Sequence, residues 1–161
     1  MTAAAVDHLG LTVADMERSL AFWSGLLGCA LRDRGIVEWE HVDRLVGIPS
    51  TRIEWAELAL PGGGVIELQQ YHRPPGAPVP AGGEGDPGRS HLALRIDGLD
   101  DLVEELRRAG ARVTGERPVV LEHGSYAGWR AIYAYDPDGY GLELMEPPPA
   151  GRRGDGVKIS P

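Results

Sequence analysis

One pattern occurs twice along the chain, and this repetition constrains the fold more than any other feature of the sequence. Residues 7–13 (DHLGLTV) return as residues 90–96 (SHLALRI), and residues 65–68 (VIEL) return as residues 141–144 (GLEL). Each copy therefore carries one histidine followed by one glutamate. The four related residues are His8, Glu67, His91 and Glu143. The repeat predicts two tandem modules of one topology, with four potential metal ligands related by pseudo-symmetry.

Composition narrows the class of protein and of partner. The 161 residues suffice for one domain or for two small fused modules with a hydrophobic core. The net charge of −8 argues against nucleic acid or an anionic membrane surface as the main partner. Cys29 is the only cysteine, which excludes an intrachain disulfide and thiolate-rich metal sites. Because no apolar stretch is long enough for a signal peptide or a membrane span, we expect a cytoplasmic protein.

Each half of the chain opens with a predicted strand. Residues 7–13 and 90–96 alternate between two faces, which is typical of a half-buried strand. Both histidines lie on the face opposite the leucines. Each is followed two positions later by a small residue, Gly10 or Ala93, which leaves space beside the imidazole. The pattern predicts that the two histidines point away from the core.

A helix is predicted after each opening strand. In the first half Asp15 can cap its start and Gly28 ends it, and in the second half Gly110 follows the last turn. The apolar residues at helical spacing are Met16, Leu20, Trp23 and Leu27 in the first half, and Leu99, Leu102, Val103 and Leu106 in the second. We expect each stripe to pack on the leucine face of the strand before it.

Two hairpins complete the modules. Residues 52–60 and 65–71 flank a Pro-Gly-Gly-Gly turn, and residues 129–135 and 140–146 flank an Asp-Pro-Asp-Gly turn. Residues 38–48 are interpreted as a short additional helix in the first half. Each half then has the element order β-α-β-β-β, so we predict an α+β fold of two tandem βαβββ modules.

The segment between the halves has the composition of a linker. Residues 72–89 contain five prolines and five glycines, too many for a packed helix or strand. We therefore predict modules at residues 6–71 and 90–146, within a single domain of residues 1–146. The proline-rich segment 147–161 is predicted to be a flexible tail.

Each of the repeated residues also has an ordinary explanation when it is taken singly. A strand histidine beside a small residue is often a hydrogen-bonded core group, and a glutamate between leucines usually faces solvent. Recurrence of all four in register favours a metal site. His41, His72 and His123 have no counterpart in the other half and are interpreted as surface or pocket-rim residues.

Further side chains are candidates for substrate binding. Arg95 is predicted to share a strand face with His91, where it can bind an anionic group of a substrate; an ion pair with a nearby acid is the alternative. The aromatic candidates for lining a substrate cavity are Trp55, Tyr71, Trp129 and Tyr133. Packing within the sheets is the alternative for these rings.

The chain resembles the vicinal oxygen chelate superfamily, which includes glyoxalase I, methylmalonyl-CoA epimerase, extradiol dioxygenases and the fosfomycin and bleomycin resistance proteins. The resemblance covers residues 6–146. It is carried by the segments DHLG at 7–10, VIEL at 65–68, SHLAL at 90–94 and DPDGYGLEL at 136–144. It implies that the paired modules curl into a half-barrel around one divalent metal ion held by His8, Glu67, His91 and Glu143.

The complete ligand set indicates which kind of member the chain resembles. Glyoxalase I of the bacterial type uses His, Glu, His and Glu, whereas the epimerases usually have Gln where Glu67 stands. Extradiol dioxygenases use only two His and one Glu, and proteins that sequester drugs often lack the ligands. The resemblance therefore favours a lyase or isomerase acting on a small oxygenated metabolite. An extradiol-type dioxygenase and a small-molecule-binding protein of the antibiotic-resistance type are the alternatives.

The chemistry of the ligands suits such a reaction. Two imidazoles and two carboxylates form a site for Ni²⁺, Co²⁺, Zn²⁺, Mn²⁺ or Fe²⁺. A metal that chelates adjacent oxygens stabilises an enediolate as it forms. The resemblance places one glutamate at the reacting carbon, so Glu143 and Glu67 are the candidates for the general base. It also implies a homodimer, and it leaves open whether the site lies within one chain or across the dimer interface, and whether glutathione is used.

Overall fold

The computed structural model describes residues 5–77 and 85–149. The chain divides into two compact units, Met1–Ala81 (unit 1) and Gly82–Pro161 (unit 2), and the boundary falls inside the predicted linker. Residues 78–84 of that linker and residues 150–161 of the predicted tail lie outside the described residues. Among the residues that are described, no helix is long and apolar enough to cross a membrane.

Unit 1 has the predicted element order, with the additional helix inside the predicted segment. Its elements are β1 (Leu9–Thr12), α1 (Met16–Leu20), β2 (Ala30–Val37), α2 (Glu40–Val46), β3 (Arg52–Ala59) and β4 (Val65–Arg73). The sheet order is β1-β4-β3-β2, with β1 parallel to β4 and the other pairs antiparallel. Strand β4 runs two residues beyond the predicted module, because Arg73 pairs with Arg52 and His72 contacts Glu54 at 2.9 Å.

The first helix begins as predicted and then widens. The Asp15 carboxylate accepts a hydrogen bond of 2.8 Å from the backbone N–H of Arg18. After Leu20 the chain continues in π-type turns over Ala21–Leu26, and Gly28 follows with a φ of 70°. The wider turns bury Phe22 beside Trp23, their rings meeting edge to face at 5.8 Å. The predicted stripe is therefore correct at Met16 and Trp23, whereas Leu20 and Leu27 are only half-buried.

One face of the first sheet forms the core of unit 1. Helix α1 packs against β4, and the backbone N–H of Met16 donates to Oε1 of Gln70 at 2.8 Å. The buried apolar residues of β1, β3 and β4 are Leu11, Ile53, Ala56, Leu58, Ile66 and Leu68. All of them except Ile53, which shares the face of Glu67, lie on the face that α1 covers. Apart from Ile53, the residues of these three strands on the Glu67 face are half-buried or exposed.

Helix α2 is tied to the strand that follows it. It ends at Gly47, whose φ of 72° suits glycine. The Asp43 carboxylate accepts hydrogen bonds from the backbone N–H groups of Ser50, at 2.8 Å, and Thr51, at 2.7 Å. These two bonds hold the pKa of Asp43 below its ordinary value. The carboxylate thus fixes the path of the chain from α2 into β3.

This arrangement predicts a specific pH dependence. Because the pKa of Asp43 is lower in the folded state, its stabilising contribution is present above the unfolded value of about 3.9 and is lost as the pH falls through the folded value. We expect wild-type stability, measured by urea unfolding, to fall more between pH 6 and pH 3 than that of Asp43→Asn. The control Asp97→Asn removes an exposed carboxylate in unit 2 and should follow the wild type. Equal slopes for all three proteins would contradict this role of Asp43.

Unit 2 repeats the topology of unit 1. Its elements are β5 (His91–Arg95), α3 (Leu99–Arg108), β6 (Val119–Val120), β7 (Arg130–Tyr135) and β8 (Gly141–Glu146). The sheet order is β5-β8-β7-β6, again with the first strand parallel to the last. The second strand, β6, is only two residues long. The predicted α+β fold of two tandem βαβββ modules is confirmed.

The helix and the hairpin turn of unit 2 follow the sequence prediction closely. Leu99, Val103 and Leu106 are buried, as are Leu142 and Leu144 of β8. The Glu146 carboxylate accepts hydrogen bonds from the N–H groups of residues 98 and 99 at the start of α3. In the Asp-Pro-Asp-Gly turn, the buried carboxylate of residue 136 accepts from the N–H groups of residues 138 and 140, at 3.0 and 2.7 Å.

Candidate functional site

The second unit brings three of the predicted site residues together. Ala93 pairs with Glu143 across the parallel strands β5 and β8, and His91 lies two positions before Ala93 on the same face. The Nε2 atom of His91 is 3.3 Å from Oε2 of Glu143. Tyr133 pairs with Glu143 from β7, and its hydroxyl lies 3.5 Å from both ring nitrogens of His91. The three side chains form one polar cluster on the face opposite α3.

The first unit holds its pair at the equivalent register. Gly10 pairs with Glu67 across β1 and β4, and His8 lies two positions before Gly10 at the entrance to the strand. His8 is exposed, with Nδ1 3.5 Å from the Asp7 carboxylate. The Glu67 carboxylate accepts a hydrogen bond from the side-chain amide of Gln69. Both units therefore follow one rule: the glutamate pairs with the residue two positions after the histidine.

The donor atoms of unit 2 suit a metal ion. Two neighbouring ligands with bonds of about 2.1 Å that meet at a right angle at the metal have donor atoms about 3 Å apart. The 3.3 Å between His91 and Glu143 is close to that separation. Within residues 5–77 and 85–149, no three His, Cys, Asp or Glu side chains are grouped closely enough to hold a metal ion. The described side chains thus provide a donor pair rather than a complete coordination shell.

An open cavity lies on the Glu67 face of unit 1. Its volume is about 300 Å³. The lining residues are Val37, His41, Val42, Leu45, Val46, Ile53, Trp55, Glu57, Glu67 and Gln69. The structure thus places Trp55, one of the predicted aromatic residues, in the same cavity as Glu67. Tyr71 lies on the same sheet face, opposite Ile53, but is not among the lining residues.

Two titratable residues of this cavity, Glu57 and His41, were not predicted as site residues. Glu57 pairs directly with Glu67 across β3 and β4, and His41, interpreted as a surface or rim residue, lies in the cavity wall on α2. The signal for Glu57 was present in the sequence, because a hairpin around residues 61–64 sets its register opposite Glu67. His41 lies four residues before Leu45 on α2, so helical spacing places both residues on the face that borders the cavity.

A smaller cavity of about 200 Å³ contains Glu143 in unit 2. Tyr133 lines it, together with Arg117 and Thr114 from the coil between α3 and β6. Neither of these two coil residues was predicted, since an irregular segment carries no periodicity that would reveal its direction. Both cavities have mostly apolar walls, and that of unit 2 differs in carrying a cation and hydroxyl groups near its glutamate.

The remaining two candidates differ in their surroundings. Arg95 is exposed on the strand face of His91, and it forms no ion pair among the described residues. Trp129 precedes β7 and packs edge to face on Tyr126 at 5.3 Å. It is not among the residues that line the Glu143 cavity, and its environment supports packing.

A network of ion pairs around Glu54 lies on the opposite side of the unit 1 sheet from Glu67. Burial alone would raise the pKa of Glu54, but hydrogen bonds from Arg34 and His72 outweigh it, and the net pKa is lowered. His72, interpreted as a surface or rim residue, is therefore part of an ion-pair network. Burial raises the pKa of the Cys29 thiol, because removal from water disfavours the charged thiolate.

Comparisons with known proteins identify the family. The family model described as the Glyoxalase/Bleomycin resistance protein/Dioxygenase superfamily matches residues 5–144. Lactoylglutathione lyase from Salmonella typhimurium is 32% identical over 151 residues, covering 90% of this chain and 94% of that protein. 2-epi-5-epi-valiolone epimerase from an Actinomyces species is 30% identical over 151 residues, covering 91% of this chain and 81% of that protein.

Solved structures agree on the fold. The crystal structure of a glyoxalase family protein from Bacillus cereus superposes with a TM-score of 0.77, at 23% identity, covering 91% of this chain and 95% of that chain. At this identity the likeness concerns the arrangement of strands and helices. The family match spans both units and includes all four repeated His and Glu residues. The chain belongs to the Glyoxalase/Bleomycin resistance protein/Dioxygenase superfamily.

Proposed function

We propose that the protein is a divalent-metal-dependent lyase or isomerase of the glyoxalase type, which moves a proton next to a carbonyl of a small oxygenated metabolite. The observation that carries the proposal is the common register of the two units. In each unit a histidine and a glutamate lie on the open face of the sheet at equivalent positions. The relatives of highest identity described above are a lyase and an epimerase, which belong to this reaction class.

The proposed metal ligands are one histidine and one glutamate from each unit. They are His8, Glu67, His91 and Glu143. Two imidazoles and two carboxylates suit Ni²⁺, Co²⁺, Zn²⁺, Mn²⁺ or Fe²⁺, and an octahedral ion would keep two positions for substrate oxygens. Once bound, the ion supplies a Lewis acid that stabilises negative charge on those oxygens. The proposal includes a homodimer, the common state among the relatives implied by the resemblance.

Side chains of the protein transfer the proton, bind the substrate and position the ligands. Glu143 accepts the proton from the carbon next to the carbonyl, since its carboxylate faces an open cavity and lies 3.3 Å from His91. Glu67 is the corresponding carboxylate of unit 1 and serves as the second acid–base group. Arg95, free of ion pairs among the described residues, binds an anionic group of the substrate. Tyr133 holds His91 in place through its ring and hydroxyl.

The test is proton exchange in heavy water. Lactoylglutathione and 2-epi-5-epi-valiolone, taken from the names of the relatives, are incubated under nitrogen with protein loaded with Zn²⁺ or Ni²⁺. We expect one of them to gain deuterium next to its carbonyl, as measured by mass spectrometry, and the protein stripped of metal to give none. A strict requirement for oxygen and Fe²⁺ would indicate a dioxygenase. Tight binding of a ligand without exchange under any metal would indicate a sequestering protein.

A further inference from the structure

The cavity of unit 1 has a polar end and an apolar end. Along β3, Ile53, Trp55 and Glu57 all face it, at intervals of about 7 Å. Glu57 pairs with Glu67, so two carboxylates mark the polar end. Trp55 and Ile53 lead away from it toward α2. A molecule in this cavity would meet oxygen-binding groups at one end and apolar side chains at the other.

Helix α2 supplies the rest of the apolar wall. Val42, Leu45 and Val46 line the cavity from positions i, i+3 and i+4 of one helix face. Val42 is buried, but Leu45 is 82% exposed, although it borders a cavity that contains the proposed metal ligand Glu67. A ligand group placed against Leu45 would remove this apolar surface from water, which is favourable.

Both walls of the apolar end are held in place before any ligand binds. On the helix side, Asp43 fixes the exit of α2, and the buried hydroxyl of Thr51 donates to the carbonyl of Ile48 at 2.6 Å. On the strand side, the indole of Trp55 lies against Gly35, where an added Cβ would be 3.0 Å from the ring. A preformed wall costs little conformational entropy on binding.

We propose that α2 and Trp55 form a subsite for a compact, uncharged carbon group of the substrate, such as a branched alkyl, alicyclic or phenyl group. The inference rests on the proposed function, because the reacting carbons are placed toward Glu67 and Glu57. The volume of about 300 Å³ lies at the lower end for ligand pockets, which suits such a group and not a peptide-sized one. His41 is the titratable side chain that α2 contributes to the cavity wall, and no Asp, Glu, Lys or Arg lines the apolar end, so a charged group there would lose most of its hydration with little compensation.

A matched pair of compounds tests the subsite. Hydroxyacetone and 2-hydroxyacetophenone share the vicinal oxygens and differ only in a methyl or a phenyl group on the carbonyl carbon. We expect the metal-loaded protein to bind the phenyl compound at least tenfold more tightly in NMR titrations. The indole N–H signal of Trp55, assigned with Trp55→Phe, should shift with the phenyl compound and not with hydroxyacetone. Equal affinities, or a shift confined to other tryptophans, would overturn the proposal.

Variants on α2 separate the subsite from general effects on the helix. Leu45→Gln should reduce the preference for the phenyl compound about fivefold, whereas Leu45→Met should keep it. Arg44→Gln changes the neighbouring exposed residue, which does not line the cavity, and should leave the preference unchanged. Because Leu45 is exposed, these substitutions should not alter the melting temperature. An unchanged preference in Leu45→Gln would overturn the assignment to α2.

Deuterium exchange at the hydroxymethyl carbon of the same two compounds keeps the two proposals distinguishable. Exchange with both compounds, together with equal affinities for them, would support the proposed function and overturn the subsite. A preference that depends on Leu45 without any exchange would support the subsite as a binding site and count against the proton-transfer function. Exchange that is faster with the phenyl compound, and reduced by Leu45→Gln, would support both.

Discussion

The double variant His8→Ala, His91→Ala should lose its divalent metal. The substitutions remove both imidazoles of the proposed ligand set and leave two carboxylates, which bind such ions weakly in water. Loss of hydrogen-bond partners around a metal already lowers affinity about 10–100-fold, so loss of two ligands should lower it by more than about 100-fold. Elemental analysis of protein purified without added metal, and competition with a chelating dye, measure the effect. Full occupancy of the double variant would refute the assignment.

Two further comparisons sharpen this result. The control His123→Ala removes an exposed histidine of unit 2 that has no counterpart in unit 1, and it should keep the wild-type metal content. The single variants His8→Ala and His91→Ala can also be unfolded together and refolded as a mixture. Recovery of bound metal in the mixture would indicate sites shared between two copies of the chain. Absence of recovery, with both single variants deficient, would indicate sites built within one chain.

The variant Glu143→Gln should lower turnover by about 10²–10⁴-fold, the range typical of a lost general base. Glutamine has nearly the same shape as glutamate, so Tyr133 and His91 keep their neighbour, but the amide cannot accept the proton. Glutamine is also a weaker metal ligand than glutamate, so part of the loss of turnover will come from weaker metal binding. Measuring kcat per bound metal ion separates the two contributions, since only the loss of the base persists at full occupancy.

The matched control for this experiment is Glu122→Gln. Glu122 is exposed in unit 2 and is not among the residues that line the Glu143 cavity, so its replacement should leave kcat and metal content unchanged. A Glu143→Gln protein that retains near wild-type turnover at full metal occupancy would rule out Glu143 as the base and would turn attention to Glu67.

Much of the fold could be predicted because the periodicity of the chain matches its structure. The alternation around His91 correctly predicted its face of the sheet, and the small residues two positions after His8 and His91 prove to be the ones that pair with the two glutamates. The hairpin turns were predictable from their glycine and proline content. Helix α1 was predicted as regular, but the chain continues from it in π-type turns in which both Phe22 and Trp23 are buried, and this depends on tertiary packing that no local pattern encodes.

The candidate site was predictable from the repeated His and Glu residues and from the aromatic residues Trp55 and Tyr133, whereas other residues of the two cavities were missed. Glu57 has no glutamate counterpart in unit 2, where Tyr133 stands at the equivalent position beside Glu143. Arg117 reaches its cavity from an irregular segment whose course is set by contacts distant in sequence. Alternation made Trp129 and Tyr71 plausible cavity residues, but neither is among the residues that line the two cavities described above. Each cavity covers only part of its sheet face, so a residue can share that face and still lie outside the cavity. Periodicity gives the face of a residue, and the neighbouring elements decide what covers it.

The close approach of Gly35 to the ring of Trp55 ties together two positions that are 20 residues apart in the chain. As long as residue 55 is tryptophan, a Cβ at residue 35 would lie 3.0 Å from the indole, so the ring would have to shift, and the part of the cavity wall that it forms would shift with it. A lineage that replaces the tryptophan with a smaller residue frees position 35 to vary. Substrate range in such a lineage can therefore drift through a strand residue that touches neither metal nor substrate.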